Sequence, residues 1–177
     1  MTASLRDDRA GPEMPEGRGY QMHGEGSTHV GISPEALWAI IMDERRLAAA
    51  IPGADTLHRA DEGDMRVYAA DVGIGVGKLK GVYRVTAEFA EENQPAALVL
   101  YGGATGPFGR SRGEGWVDLL ATSNGTQVRY QYAILIKGPV AFVGGRLLDA
   151  AASTLIDKFF VRLANAVQSD ALTAPSA

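Results

Sequence analysis

The sequence predicts an α+β domain, a curved antiparallel sheet of about six to seven strands wrapped around a long C-terminal helix, with two short helices after the first strand. Three observations carry this reading. Apolar residues alternate with period two through most of the stretch from Asp55 to Lys137, as half-buried strands require. The period turns helical just after the first strand candidate and again towards the C-terminus. The 22 glycines among 177 residues cluster in and beside the strand candidates, where a sheet bends or bulges. Helices gathered on one face of an antiparallel sheet define the α+β arrangement.

The elements follow in order. Residues 1–19 are polar and of mixed charge, and are expected to form a disordered leader because they cannot bury enough apolar surface to offset ordering entropy. Tyr20–Val30 alternates loosely and reads as a strand. Ser33-Pro34 supplies an N-cap and a first-turn proline for a helix carrying Leu37, Trp38, Ile41 and Met42 on one face. A second short helix, Glu44–Ala50, is stopped by Ile51-Pro52-Gly53. Strands are expected at Asp55–Ala60 and Met65–Val72, joined by a hairpin at Asp61–Asp64. Leu79–Glu91 follows, with Gly81, Tyr83, Val85, Ala87 and Phe89 on the inner face. Ala97–Ala104 and Gly113–Ala121 flank a glycine-rich loop, and Asn124-Gly125 signals a hairpin into Thr126–Lys137. Gly138-Pro139 ends the last strand. From Arg146 to Gln168 a helix of roughly 35 Å is long enough to cross a small sheet. One domain over residues 20–168 is therefore expected, with a flexible tail at 169–177.

Composition excludes several functions. With no cysteine there is no disulfide scaffold, thiolate metal site or Cys nucleophile. A net charge of −4, from 17 Lys+Arg against 21 Asp+Glu, argues against nucleic acid as a partner. The longest apolar runs fall far short of the ~20 residues of a membrane helix, so a cytoplasmic protein is expected. His23, His29 and His58 have no ligand spacing, so no metal site is expected, and there is no G-x-S-x-G elbow. Asp71 and Asp118 lie inside strands, and a solvated face is the expectation for both. The glycines of Gly73–Gly77 and Gly102–Gly115 have strands on both sides and no helix N-terminus to hold a phosphate.

Small residues on the sheet (Gly81, Ala87, Gly102, Gly115) face a helix bearing Ala150–Ala152, Leu155 and Phe159. With Tyr83, Phe89, Tyr130, Tyr132 and Phe160 around them, these residues either pack into one another or bound an apolar cavity oriented by phenols. The candidate ligand-binding set is Tyr83, Phe89, Gly115, Tyr130, Tyr132, Ala152, Leu155 and Phe159. Separately, Phe108 beside Arg110 and Arg112 on a glycine-rich loop reads as an exposed apolar tip ringed by cations, suited to an anionic membrane or a partner.

The assembled motifs resemble the carbon monoxide dehydrogenase G-subunit family, of the START/Bet v 1-like helix-grip superfamily. The residues concerned are Trp38, Asp43, Leu47, Ile51–Gly53, Gly73–Gly81, Gly113–Gly115, Gly125-Thr126 with Tyr130, Gly138–Ala141, Gly144–Leu148 and Phe159-Phe160. The resemblance spans Tyr20 to Val167. It implies a helix-grip fold with an apolar tunnel, and a non-catalytic accessory protein of a molybdenum-containing hydroxylase. It also implies a link to the membrane, at its inner face, by carrying a quinone or lipid. Two alternatives stand beside this: a ligand-free recruitment or maturation factor docking through Phe108, Arg110 and Arg112, and a polyketide-cyclase-like enzyme, which needs an acid/base pair in the tunnel.

Overall fold

A computed structural model describes residues 12–62 and 65–173. The chain runs β1 (Tyr20–Val30), α1 (Pro34–Ile41), α2 (Glu44–Ala50), β2 (Ala54–Glu62), β3 (Met65–Val76), β4 (Leu79–Asn93), β5 (Ala97–Gly106), β6 (Gly109–Thr122) and β7 (Gly125–Lys137). A 3-10 turn (Pro139–Phe142) then leads into α3 (Gly145–Thr173). The seven strands form one antiparallel sheet in the order β1-β7-β6-β5-β4-β3-β2. It is a meander whose far edge is β1, paired with β7 from Tyr20↔Ile136 to Val30↔Thr126. Register shifts between Ala54 and Leu57 and between Phe89 and Glu91 break the ladders, which increases local twist and bend.

The helix starts follow their caps. The Ser33 hydroxyl accepts from Ala36 N at 3.3 Å ahead of Pro34, and the Asp43 carboxylate accepts from Arg45 N and Arg46 N at 3.0 and 3.1 Å. The two short helices close one end of the curved sheet. Leu37, Trp38 and Ile40 pack with Val30, Leu98, Leu119, Val128 and Leu163. At the opposite end Met22, Val76, Ile136, Val140 and Leu148 form a second cluster. At about 1.5 Å per residue, α3 is roughly 44 Å long.

Several boundaries differ from expectation. The glycines 73–75 are strand, with Gly73↔Val82 and Gly75↔Lys80 in register, because the inward alternation Tyr68-Ala70-Val72-Ile74-Val76 runs on through them. The glycine-rich loop before β6 shrinks to Pro107-Phe108, with Gly106↔Gly109 closing the hairpin and Arg110 and Arg112 inside β6. The β6–β7 turn is Ser123-Asn124, and Gly125 opens β7 at φ 147°. α3 continues to Thr173, five residues beyond Gln168, so the expected tail begins as helix.

Of the expected disordered leader, residues 1–11 lie outside the described residues, as do 63–64 of the first hairpin and 174–177 of the tail. Residues 13–19 lie against the outer face of β6 and β7. Glu13 N donates to Glu114 Oε2 at 3.2 Å, and Arg112 donates to the Glu16 carbonyl. A Cβ built on Gly17 would stand 3.3 Å from Leu135, which is buried although it points away from the helix. Leu135 thus gives the leader an apolar surface to settle on. Asp71 is exposed and pairs with Arg84 Nε at 2.7 Å, as a solvated face implies. Asp118 is 3 % exposed, contrary to expectation. It alternates with Val117, so its burial lies on the sheet face turned away from α3.

Candidate functional site

Cross-strand rows decide where the sheet is hollow. Ala87, Gly102 and Gly113 stand side by side on β4, β5 and β6, and Val85, Ala104 and Ser111 form the next row. Such residues cannot fill the space beneath a helix whose own face there is Ala151-Ala152. Two apolar chambers result, end to end under α3. The first, of about 280 Å³, lies under Leu148, Ala151, Ala152, Leu155 and Ile156 and is walled by Met22, Val76, Tyr83, Ala104, Tyr132 and Ile134. The second, of about 190 Å³, lies under Phe159, Phe160 and Leu163 and is closed by Leu37, Ile41 and Leu47 of the short helices.

The sequence-derived candidates divide between them. Tyr83, Tyr132, Ala152 and Leu155 line the first chamber, and Phe89 and Phe159 the second. Tyr130 stacks on Phe160 with ring centroids 5.7 Å apart, and Phe160 meets Phe159 edge-on at 5.2 Å. Gly115 is buried and opens no hollow. A Cβ there would sit 3.3 Å from Leu100 Cδ1, because its register partner Leu100 leans across it.

Several glycines serve as beds for the tyrosines rather than as empty space. A Cβ on Gly24 would lie 2.5 Å from Tyr132 Oη, one on Gly26 would overlap Tyr130 Oη, and one on Gly106 would overlap the Tyr83 ring. A ring laid over a neighbouring strand's glycine covers backbone that would otherwise lack packing. It also keeps the phenols flat against the wall. All three aromatic–glycine contacts follow from register, which composition does not reveal.

Gly73 is different, since a Cβ there would meet nothing within 4 Å. It belongs to a groove of about 740 Å³ between β3 and α3, lined by Gly73, Gly75, Gly77, Leu147 and Thr154 among others. Val76, Ala151 and Leu155 line both this groove and the first chamber. The groove and the chamber therefore share a wall of β3 and α3.

Burial raises the Tyr130 and Tyr132 phenols above their ordinary 10.0, and the nearby carboxylates of Asp157 and Asp149 push in the same direction. Both are neutral hydrogen-bonding groups at physiological pH. Arg110 and Ser111 bring further polar groups to the first chamber.

The exposed apolar tip lies elsewhere than expected. Phe108 is half-buried and packs in the cluster around Met22 and Val140, its carbonyl accepting from Val140 N at 2.9 Å. Phe142 is the projecting ring, 88 % exposed at the end of the 3-10 turn, with Leu147 partly exposed nearby in the chain. Lys78, Lys80, Arg110 and Arg146 are exposed on turns and element ends. Sequence reading also missed Ile74 and Val76, which it placed in a loop, and Arg66 and Tyr68. Continued alternation through the glycines was the available signal.

The CoxG family, that of the carbon monoxide dehydrogenase G subunit, matches residues 26–168. The chain belongs to that family. A conserved protein from Geobacillus kaustophilus is 30% identical, with 84% of this chain and 96% of that chain covered and a TM-score of 0.77. An uncharacterised protein from Rhizobium leguminosarum is 9% identical over 86% of this chain and 97% of its own, with a TM-score of 0.68. The Zhui aromatase/cyclase from Streptomyces sp. R1128 is 16% identical over 86% and 94%, with a TM-score of 0.54. These last two share the fold. No curated protein matches the chain. For this CoxG family member, the fold is the helix-grip type. No helix among the described residues is long and apolar enough to cross a membrane.

Proposed function

We propose that the protein is a non-catalytic carrier of a hydrophobic molecule, a quinone or a lipid, serving a molybdenum-containing hydroxylase at the inner face of the membrane. The observation that carries this reading is the pair of apolar chambers under α3, with neutral phenols set into the wall of the first. An apolar pocket with a few oriented polar groups is what small lipophilic ligands select. The groove beside Gly73 provides access. The exposed Phe142 ring, with exposed Lys78, Lys80, Arg110 and Arg146 elsewhere on the surface, provides for contact with an anionic bilayer. The family resemblance supplies the quinone and the hydroxylase.

The test is transfer. Donor vesicles loaded with a fluorescent long-chain quinone and unlabelled acceptor vesicles are mixed with catalytic amounts of protein. The reading predicts that transfer accelerates in proportion to protein and that the protein in isolation retains the quinone. A rate independent of protein, together with no retention, overturns it.

A further inference from the structure

The second chamber carries a polar feature that the carrier reading does not use. Among the described residues two buried side-chain polar atoms have no hydrogen-bond partner, Tyr68 Oη and Arg66 Nε. Leaving a buried donor unpaired costs about 1–3 kcal/mol, so two on one strand call for a reason. Tyr68 is 1 % exposed, lines the chamber and meets Phe89 edge-on at 5.3 Å. Arg66 is two residues away on the same face of β3, in register with Phe89, and lies outside the chamber lining. Its Nη1 is already engaged, donating to Met42 Sδ and lying 3.8 Å from Glu92 Oε1. Burial holds the Tyr68 phenol protonated, opposed in part by the Arg66 charge. The rest of the wall is hydrocarbon, from Leu37, Leu57, Val72, Leu98 and Val117 to Phe159.

A phenol donates or accepts, and the Arg66 charge behind it favours an electron-rich oxygen, so the chemistry that fits is a ligand that accepts. The size of the chamber bounds that ligand. A cavity of ~150 Å³ takes benzene, so about 190 Å³ takes a single ring or a short branched chain.

We propose that the second chamber holds the oxygen-bearing end of an apolar ligand, a carbonyl or carboxylate, which accepts a hydrogen bond from Tyr68 Oη. The remainder of the ligand then extends along α3 towards the first chamber. This proposal rests on the carrier reading and gives it a direction, head group under the short helices and tail towards the open end.

The test compares ethylbenzene, acetophenone and benzoate, which share a ring and differ in the acceptor. Each is titrated into the full chain by two-dimensional NMR, with the resonances of Phe89 and Phe159 locating the site. Wild-type protein is expected to prefer acetophenone or benzoate to ethylbenzene. Tyr68→Phe should weaken the preferred oxygen-bearing probe about five- to tenfold, as loss of one neutral hydrogen bond predicts, and leave ethylbenzene unchanged. Its melting temperature should not fall, since the substitution deletes an orphaned hydroxyl. If acetophenone prevails the head is a neutral carbonyl, and if benzoate prevails it is an anion, either of which supports the proposal. Equal binding of all three probes, unaltered by Tyr68→Phe, overturns the proposal and leaves the carrier reading standing. Failure of every probe to bind overturns the proposal, and the carrier reading falls with it only if the protein also fails to retain the quinone.

Discussion

Ala152 on α3 separates a chamber that is space from one that is merely packing. Leucine at this position adds three carbons beneath the helix, among Met22, Val76, Ile136, Val140 and Leu148. If they enter the chamber of about 280 Å³, each buried carbon contributes about 0.8 kcal/mol, an upper total near 2.4 kcal/mol. Helix propensity adds almost nothing, because Leu ranks close to Ala. For a domain of this length that corresponds to a rise in Tm of at most about 5–10 °C. In a core already filled, the same substitution forces strained rotamers and costs about 1–3 kcal/mol. The sign of the change is thus the measurement. Thermal and denaturant unfolding are run on Ala152→Leu and wild type, alongside titration with an apolar fluorescent probe. Higher stability joined to weaker probe binding is the expected result. Lower stability with unchanged probe binding would refute the reasoning, because it would mean that no usable volume lies beneath Ala152.

Three further outcomes follow from the same geometry. Gly73→Val places a β-favouring side chain in the open groove, so stability should hold or rise while stopped-flow probe exchange slows, and an unchanged exchange rate would place access elsewhere. The raised phenols of Tyr130 and Tyr132 make stability fully present below pH 10.0 and progressively lost as pH climbs from there through their folded values. The unfolded chain ionises first, so Tyr132→Phe should flatten the fall of Tm above pH 10. Phe142→Ser should cut partitioning onto phosphatidylglycerol vesicles about tenfold with stability within about 0.5 kcal/mol of wild type, whereas Phe108→Ala, which removes a packed ring, should lower stability by about 2 kcal/mol or more.

The fold was legible because its signals are local. Ser33-Pro34 and Asp43 mark helix starts by capping chemistry, and the alternation of Tyr83, Val85, Ala87 and Phe89 marks an inner face, without reference to any distant residue. The candidate site was legible in part for the same reason. Ala152 and Leu155 share a helix face, and Tyr83 and Tyr132 share the inner side of their strands.

What escaped depends on register. Gly24, Gly26 and Gly106 underlie tyrosines that reach across from neighbouring strands, and Gly115 is covered by Leu100. Nothing in the order of residues along one strand says which partner residue lies opposite. Gly73 and Gly75 read as a loop because glycine dilutes β propensity, although Ile74 and Val76 keep the strand's period. Phe108 was read as exposed because exposure was judged from glycine content, and the hairpin at Pro107-Phe108 is far tighter than that content suggests. The unpaired donors of Arg66 and Tyr68 required the packing of α1 and α2 over β3, which only the folded chain displays.

The central claim is that the space beneath α3 holds one apolar molecule. Native mass spectrometry tests it most directly, on protein purified without detergent and then incubated with a total lipid extract and re-isolated. The account predicts a stoichiometric mass increment, released by organic solvent as a lipophilic compound and diminished in Ala152→Leu. Protein that returns at its bare mass after that incubation would contradict it.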